Sequence, residues 1–267
     1  MKTAKYSIED ICAIIVSFNP NELLINNINA LKPQVAKCVV VDNGSIETNV
    51  LGTVRQFGDV HIIELGENKG IAAALNVGLR YCEANGYKLI LTMDQDTILK
   101  ERTVDELLKP INEGIAESTG INWDNQAKED ALVDYLITSG NLLVVEAAKD
   151  IDMYDEALFI DSVDFDLCLR LQENGYRLCK VSKANAIHNL GDENGSSKYR
   201  THSTQRYYYI ARNHFYLIRK YKKKHRLFCI KKQLAFIWDL VQLAMYDKDR
   251  KQKYDAIKHG YKDSKSM

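Results

Sequence analysis

Two carboxylates one residue apart, Asp94 and Asp96, close the apolar run Leu89-Ile-Leu-Thr-Met93. Alternate side chains of a strand share a face. Acids at i and i+2 just past a strand end can therefore converge on one cation or one diphosphate–metal complex. Hard oxygen ligands of this kind suit Mg2+ or Mn2+. The same residues also read as a polar turn whose acids cap a helix. A second acidic stretch, Phe159 to Arg170, carries Asp161, Asp164 and Asp166. The helix dipole rewards acids in a first turn, which accounts for one or two of them. Asp164, framed by Val163, Leu167 and Leu169, has the apolar setting of a general base for an incoming hydroxyl. His188 taken alone reads as structural; beside a two-carboxylate site it becomes a candidate metal or phosphate contact.

These residues need a scaffold, and the first hundred residues describe one. Continuous apolar runs at 11–18 and 37–42, a shorter one at 60–65 and a fourth at 87–93 have the pattern of strands buried on both faces. Helices are predicted between them over about 21–32, 46–57 and 71–85. Strand–helix alternation with short loops predicts an α/β fold with a mostly parallel sheet and right-handed crossovers. In such sheets ligands sit beyond the carboxyl ends of the strands. Those ends are Ser17-Phe18-Asn19, Asp42-Asn43-Gly44-Ser45, Asn68-Lys69-Gly70 and Asp94-Gln95-Asp96. Their convergence on one edge favours the site reading of Asp94 and Asp96 over the turn reading.

Farther on, a helix is predicted over about 101–117, a strand over 135–145 interrupted at Ser139-Gly140-Asn141, a helix over 159–174 and a short strand over 177–181. The interruption marks either a bulge or a close approach of the backbone to a ligand. Residues 189–200 read as a mobile loop. The remainder reads as helical, over 207–221 and about 226–247. The organisation expected is a catalytic domain over 1–200 and a basic helical extension over 201–267.

Lys and Arg together number 36, as do Asp and Glu, so the balanced charge argues against a general nucleic-acid binder. Basic residues dominate after Arg200, most densely in Arg219 to Arg226. The extension reads either as a solvated basic face or as a surface that docks on an anionic membrane or a second copy of the chain. Cys12, Cys38, Cys82, Cys168, Cys179 and Cys229 show neither CxxC pairs nor zinc spacing and read as reduced structural residues. Together with an N-terminus too polar for a signal peptide, this predicts a cytoplasmic protein, peripheral at most at the inner face of the membrane.

Taken in order, Val16-Ser17-Phe18-Asn19, Asp42-Asn43-Gly44-Ser45, Asn68-Lys69-Gly70 with Ala73 and Asn76, Asp94-Gln95-Asp96, Ser139-Gly140-Asn141 and Val163-Asp164-x-x-Leu167-x-x-Arg170 resemble the inverting family 2 glycosyltransferases. The Asp-Gln-Asp form, the Phe-Ile-Asp-x-Val-Asp stretch, the histidine at 188 and Tyr208-Tyr209 with Arg212-Asn213 are most similar to bacterial rhamnosyltransferases of surface-polysaccharide assembly. The resemblance spans roughly residues 10–221. Each motif is weak alone, and the complete order is specific.

The resemblance implies a GT-A fold and a hexosyltransferase of the EC 2.4 type, moving rhamnose from dTDP-rhamnose to a hydroxyl of an O-antigen or capsule saccharide. It implies that Asp42 bonds the nucleotide base near Ser17 and Asn19. Asn68, Gly70 and Asn76 would lie along the nucleotide and Asp94 on its ribose or diphosphate side. Asp96, with His188, would hold Mg2+ or Mn2+. Ser139, Gly140 and Asn141 would face the acceptor, Asp164 would be the base and Arg170 would be structural. The family's usual Glu-Asp is Val163-Asp164 here, which leaves Asp161 and Asp166 as rival bases. UDP- and GDP-sugars remain alternative donors. A sugar-phosphate nucleotidyltransferase is a further alternative, although Phe18-Asn19-Pro20-Asn21-Glu22 is not its glycine-rich loop. So is a non-catalytic binding protein, which intact carboxylates at both places argue against.

Overall fold

A computed structural model describes residues 5–123, 126–188, 202–247 and 249–267, the side chain of His188 excepted. The strands are β1 (Ile11–Ser17), β2 (Lys37–Asp42), β3 (Val60–Glu64), β4 (Leu89–Asp94), β5 (Thr97–Leu99), β6 (Ser118–Ile121), β7 (Ala131–Leu132), β8 (Asn141–Val144), β9 (Leu178–Val181) and β10 (Ala186–His188). The helices are α1 (Leu23–Leu31), α2 (Asn49–Arg55), α3 (Ile71–Ala84), α4 (Thr103–Asn112), α5 (Val145–Asp150), α6 (Val163–Glu173), α7 (Thr204–Tyr221), α8 (Arg226–Tyr246) and α9 (Arg250–Ser264). The chain forms two compact units, Met1–Glu156 with Val163–Gly191 and Ala157–Ser162 with Asp192–Met267.

The first unit is built on a sheet of order β3-β2-β1-β4-β8-β6-β9-β7. β1 to β4 are mutually parallel, as the alternation of strands and helices requires. β8 then runs antiparallel to both β4 and β6. The central strands are buried along their lengths because their runs are apolar without alternation. A separate antiparallel ribbon pairs β5 with β10. All six cysteines are buried free thiols. Burial pushes Cys38 and Cys168 up to about 12, which keeps both protonated.

Three elements depart from the sequence expectation. The strand predicted over 135–145 begins only at Asn141 and gives way at Val145 to α5. Gly140 has φ +74, and a Cβ there would fall 2.2 Å from Ile121 Cδ1, so the chain turns sharply against β6. The helix predicted over 101–117 stops at Asn112. That side chain accepts from Tyr6 N–H at 2.8 Å and donates to its carbonyl at 2.9 Å. Gly114, at φ +70, then takes the left-handed turn that ends helices. The helix predicted from 159 begins at Val163, because Phe159, Asp161 and Ser162 have φ of +61, +65 and +66. The loop expected over 189–200 lies outside the described residues.

The second unit packs α7, α8 and α9 around Tyr207, Ala211, Phe236, Leu243 and Ile257. α9 was not anticipated, since its sequence is largely polar. It crosses α7 at Gly260, where a Cβ would lie 2.3 Å from the Tyr208 carbonyl oxygen. Asp247 and Lys253 form a buried ion pair at 2.5 Å. The left-handed segment 157–162 is tied to α7. The Asn213 amide donates to the carbonyls of Leu158 (2.7 Å), Ile160 (2.6 Å) and Asp161 (2.9 Å). Arg212 donates to those of Ala157 and Leu158, and Phe159 stacks on Tyr209. Among the described residues no helix is long and apolar enough to cross a membrane.

Candidate active site

Strand register brings the chemistry to one edge. Ser17 pairs with Asp42 across β1 and β2, and Val16 pairs with Asp94 across β1 and β4. The carboxyl ends of three adjacent parallel strands are thus level. Asp42 and Asp94 stand on either side of β1, two strand spacings or roughly 10 Å apart. The long apolar runs make the three strands end together, and their first polar residues therefore line up.

Around Asp42 the loops are locked to one another. Ser45 donates to Asp42 through both its N–H, at 3.1 Å, and its hydroxyl. The same hydroxyl accepts from Asn19 N–H at 2.8 Å, and Asn19 Oδ1 accepts from Ile46 N–H at 2.8 Å. Asn19 has φ +46, a left-handed conformation that asparagine tolerates better than most residues. Ser17 Oγ is fully buried beside Asp42 and has no hydrogen-bond partner among the described residues. An orphaned hydroxyl at a strand end is costly unless something fills the position.

The third loop closes over the second. Asn43 Nδ2 donates to Asn68 Oδ1 at 3.0 Å, and Asn43 Oδ1 accepts from Lys69 N–H at 2.9 Å. Asn68 Oδ1 also accepts from Gly70 N–H at 3.0 Å, and Gly70 immediately precedes α3. Gly44 makes this approach feasible. It has φ +81, and a Cβ there would fall 2.4 Å from the carbonyl carbon of Glu67. Asn43 and Gly44 were visible in the sequence as strand-end residues, but nothing in their spacing announced an interlock with residues 67–69.

The acidic pair is held from behind. Asp94 N–H donates to Ser139 Oγ at 3.0 Å, and that hydroxyl donates to Thr97 Oγ1 at 3.0 Å. Asn27 donates to the Asp94 carbonyl at 2.8 Å. Gln95 accepts from Phe18 N–H at 2.9 Å, joining the ends of β1 and β4. Asp94 and Asp96 are both half-exposed. Asp96 lies in the turn between β4 and β5, and the next residue, Thr97, pairs with His188 across the ribbon. Chain topology thus brings the backbones of Asp96 and His188 together. The histidine ring itself lies outside the described residues. Among those residues no three His, Cys, Asp or Glu side chains cluster as an ion site. The paired half-exposed carboxylates are nonetheless a donor set of the right hardness for Mg2+ or Mn2+.

Two groups of residues expected to meet ligands have internal partners. Asn76, expected along the nucleotide, is buried and spends its amide on the Tyr154 carbonyl (2.9 Å), Glu156 (2.8 Å) and Tyr154 N–H (2.9 Å). It is a clamp for the turn after α5. Ser139, Gly140 and Asn141, expected to face the acceptor, also bond within the sheet. Ser139 supports Asp94, the Gly140 N–H donates to Thr92 O, and buried Asn141 bonds Ser118. In each case burial leaves the polar side chain only internal partners.

At the start of α6, Asp164 is half-exposed and its Oδ1 accepts from Phe165 N–H at 2.8 Å. Its two neighbours are committed to arginines. Asp166 is fully buried against Arg170 at 2.7 Å, and Asp161 pairs with Arg206 at 2.9 Å. Arg170 also donates to the Ile151 carbonyl, so it fastens α6 to the end of α5, the structural part expected of it.

Comparison with known proteins bears on the family and the fold. The family model described as glycosyl transferase family 2 matches residues 12–134. The dTDP-rhamnosyl transferase RfbF of Shigella flexneri is 31% identical over 242 residues, covering 79% of this chain and 80% of that protein. A low-salt glycan biosynthesis hexosyltransferase, Agl10 of Haloferax volcanii, is 24% identical over 70% of each. Among solved structures, GalNAc-T7 with UDP, GalNAc and Mn2+ aligns with TM-score 0.68 at 12% identity, covering 94% of this chain and 56% of that one. S. aureus TarS 1–349 with UDP-GlcNAc aligns with TM-score 0.57 at 17% identity, covering 92% and 70%. The fold is of the GT-A type, and the chain belongs to glycosyl transferase family 2 and is a glycosyltransferase.

Proposed function

We propose that the protein is a divalent-cation-assisted inverting rhamnosyltransferase that uses dTDP-rhamnose and glycosylates a hydroxyl of a growing O-antigen or capsule saccharide at the cytoplasmic side of the membrane. The observation that carries the transfer reading is the level ending of β1, β2 and β4, which aligns Ser17, Asp42 and Asp94 on one edge. The choice of sugar and nucleotide rests on the similarity to RfbF.

In this reading Asp42, with the unpartnered Ser17 hydroxyl and the Asn19 loop, receives the base. Asn68 and Gly70 border the nucleotide. Asp94 faces the ribose and diphosphate, and Asp96 with His188 holds Mg2+ or Mn2+. The bound ion would neutralise charge on the departing nucleoside diphosphate. Asp164 takes the proton of the acceptor hydroxyl as that oxygen forms a bond to the anomeric carbon. The bond from that carbon to the diphosphate oxygen breaks with its electron pair, and the configuration inverts. Asp164 is preferred to Asp161 and Asp166 because it occupies the position of the family's base in the Val163-Asp164-x-x-Leu167-x-x-Arg170 pattern and is half-exposed at the start of α6, whereas Asp166 is fully buried.

Asp164→Asn should lower transfer by about 10^2- to 10^4-fold while donor binding, followed by calorimetry, persists. Unchanged turnover would sink the base assignment. A thermal-shift screen of dTDP-, UDP- and GDP-sugars with Mg2+ or Mn2+ tests the donor. Stabilisation by a UDP- or GDP-sugar alone would replace dTDP-rhamnose.

A further inference from the structure

We propose that the outward face of α8 is a docking surface for an anionic lipid bilayer, with the helix lying along the membrane plane. The observation is a stripe rather than a charge count. At 100° per residue, Leu227, Ile230, Leu234, Ile237, Trp238, Val241 and Met245 fall within an arc of about 120°. All seven are exposed, Leu227 at 66%, Leu234 at 62% and Trp238 at 61%. Lys231 alone shares that arc, at its border. The stripe runs from Leu227 to Met245, about 27 Å at 1.5 Å per residue. The opposite face is already used, with Cys229, Phe236 and Leu243 buried. A helix that is apolar on its packed side and again on its free side leaves a surface larger than solvation alone explains.

Charge selects the occupant. From Arg219 to Lys232 the chain has eight Lys or Arg and no acid, with Lys222, Lys223, Lys224, Arg226 and Lys231 exposed. The one acid in α8, Asp239, lies about 140° from the centre of the stripe at Leu234. A second copy packed in parallel would set two basic ends against each other. Packed antiparallel, it would offer those cations the far end of α8, where Asp247 is buried and paired with Lys253. A bilayer with acidic headgroups matches both the basic end and the apolar face. Trp238 on the stripe carries an amphipathic ring that favours the headgroup level. No residue of the stripe is assigned to the transfer reaction, so its failure and the failure of the proposed reaction are distinguishable.

The test is co-sedimentation of the full chain with vesicles of phosphatidylcholine and phosphatidylglycerol, 7:3, against phosphatidylcholine alone. The expected result is binding to the anionic vesicles that weakens with salt, with a blue shift of tryptophan emission that Trp238→Phe removes. Leu234→Glu with Trp238→Glu, both at exposed positions, should reduce binding at least tenfold. Helical circular dichroism and transfer to a soluble acceptor should remain unchanged. No binding by the unaltered protein, or equal binding by the double variant, would overturn the proposal. So would a dimer in solution that the double variant dissolves while vesicle binding is absent.

Discussion

The two units of this chain are held together differently. In the first, the interior of β1, β2 and β4 is hydrocarbon apart from Thr92, and buried polar groups such as Asn76 and Asp166, the latter paired with Arg170, sit on the helices α3 and α6. In the second, the interior itself is polar and aromatic. It contains the Asp247–Lys253 pair, His214 stacked on Phe236 at 4.2 Å, and an asparagine amide shared by three carbonyls. The difference teaches where each unit is fragile. An apolar sheet tolerates the loss of one surface contact, whereas a buried charge left without its partner must be neutralised or hydrated.

The sharpest way to break the comparison is at Lys253. Lys253→Met should cost about 3–5 kcal/mol in chemical denaturation, because Asp247 is left charged and buried. Pairing it with Asp247→Leu should return most of that loss. A double variant as unstable as the single one would show that the pair is not what matters.

Gly44→Ala probes the first unit through its backbone geometry. The left-handed φ and the overlap with Glu67 together predict about 2–4 kcal/mol of destabilisation. Donor binding should fall with it, since the Asn43–Asn68 interlock would separate. A variant of normal stability and normal affinity for nucleotide would contradict the close approach.

Acidification sharpens the contrast further. Burial lowers His214 from its ordinary 6.5 to about 4, so the folded second unit holds this ring neutral. Between those values the unfolded chain binds the extra proton and the folded one does not. The stabilisation is complete above pH 6.5 and is lost as pH falls toward 4, by up to about 3 kcal/mol. Far-ultraviolet melts of the unaltered chain and of His214→Gln across that range should converge in their pH dependence only if another group is responsible. The smallest effect is expected at the exposed Arg55–Glu64 pair of the first unit, where Arg55→Ala should change stability by about 0–1 kcal/mol.

The contrast also separates what could be read in advance from what could not. β1, β2 and β4 were legible because unbroken apolar runs have few other fates, and Asp42 and Asp94 followed as the first polar residues beyond them. α9 was not legible, because Arg250 to Ser264 has little hydrophobic pattern and is placed by Gly260 against α7. The delayed start of α6 was equally hidden. Phe159, Asp161 and Ser162, with positive φ, lie in a segment whose carbonyls at 157, 158, 160 and 161 are held by Arg212 and Asn213, about fifty positions away.

By itself the sequence determined the parallel half of the sheet, the edge on which the polar strand ends gather and the family to which their order belongs. Local apolar runs and turn residues carry that information, and burial of hydrocarbon enforces it. Only the tertiary structure decided which polar residues are enclosed and which stay exposed. Asn76, Ser139 and Asn141 looked the same in sequence as Asn19 and Asn68, yet they are buried, whereas Asn19 and Asn68 stay exposed while also bonding within the chain. Hydrogen-bond satisfaction of buried groups is set by partners distant in sequence, and those exist only once the chain has folded.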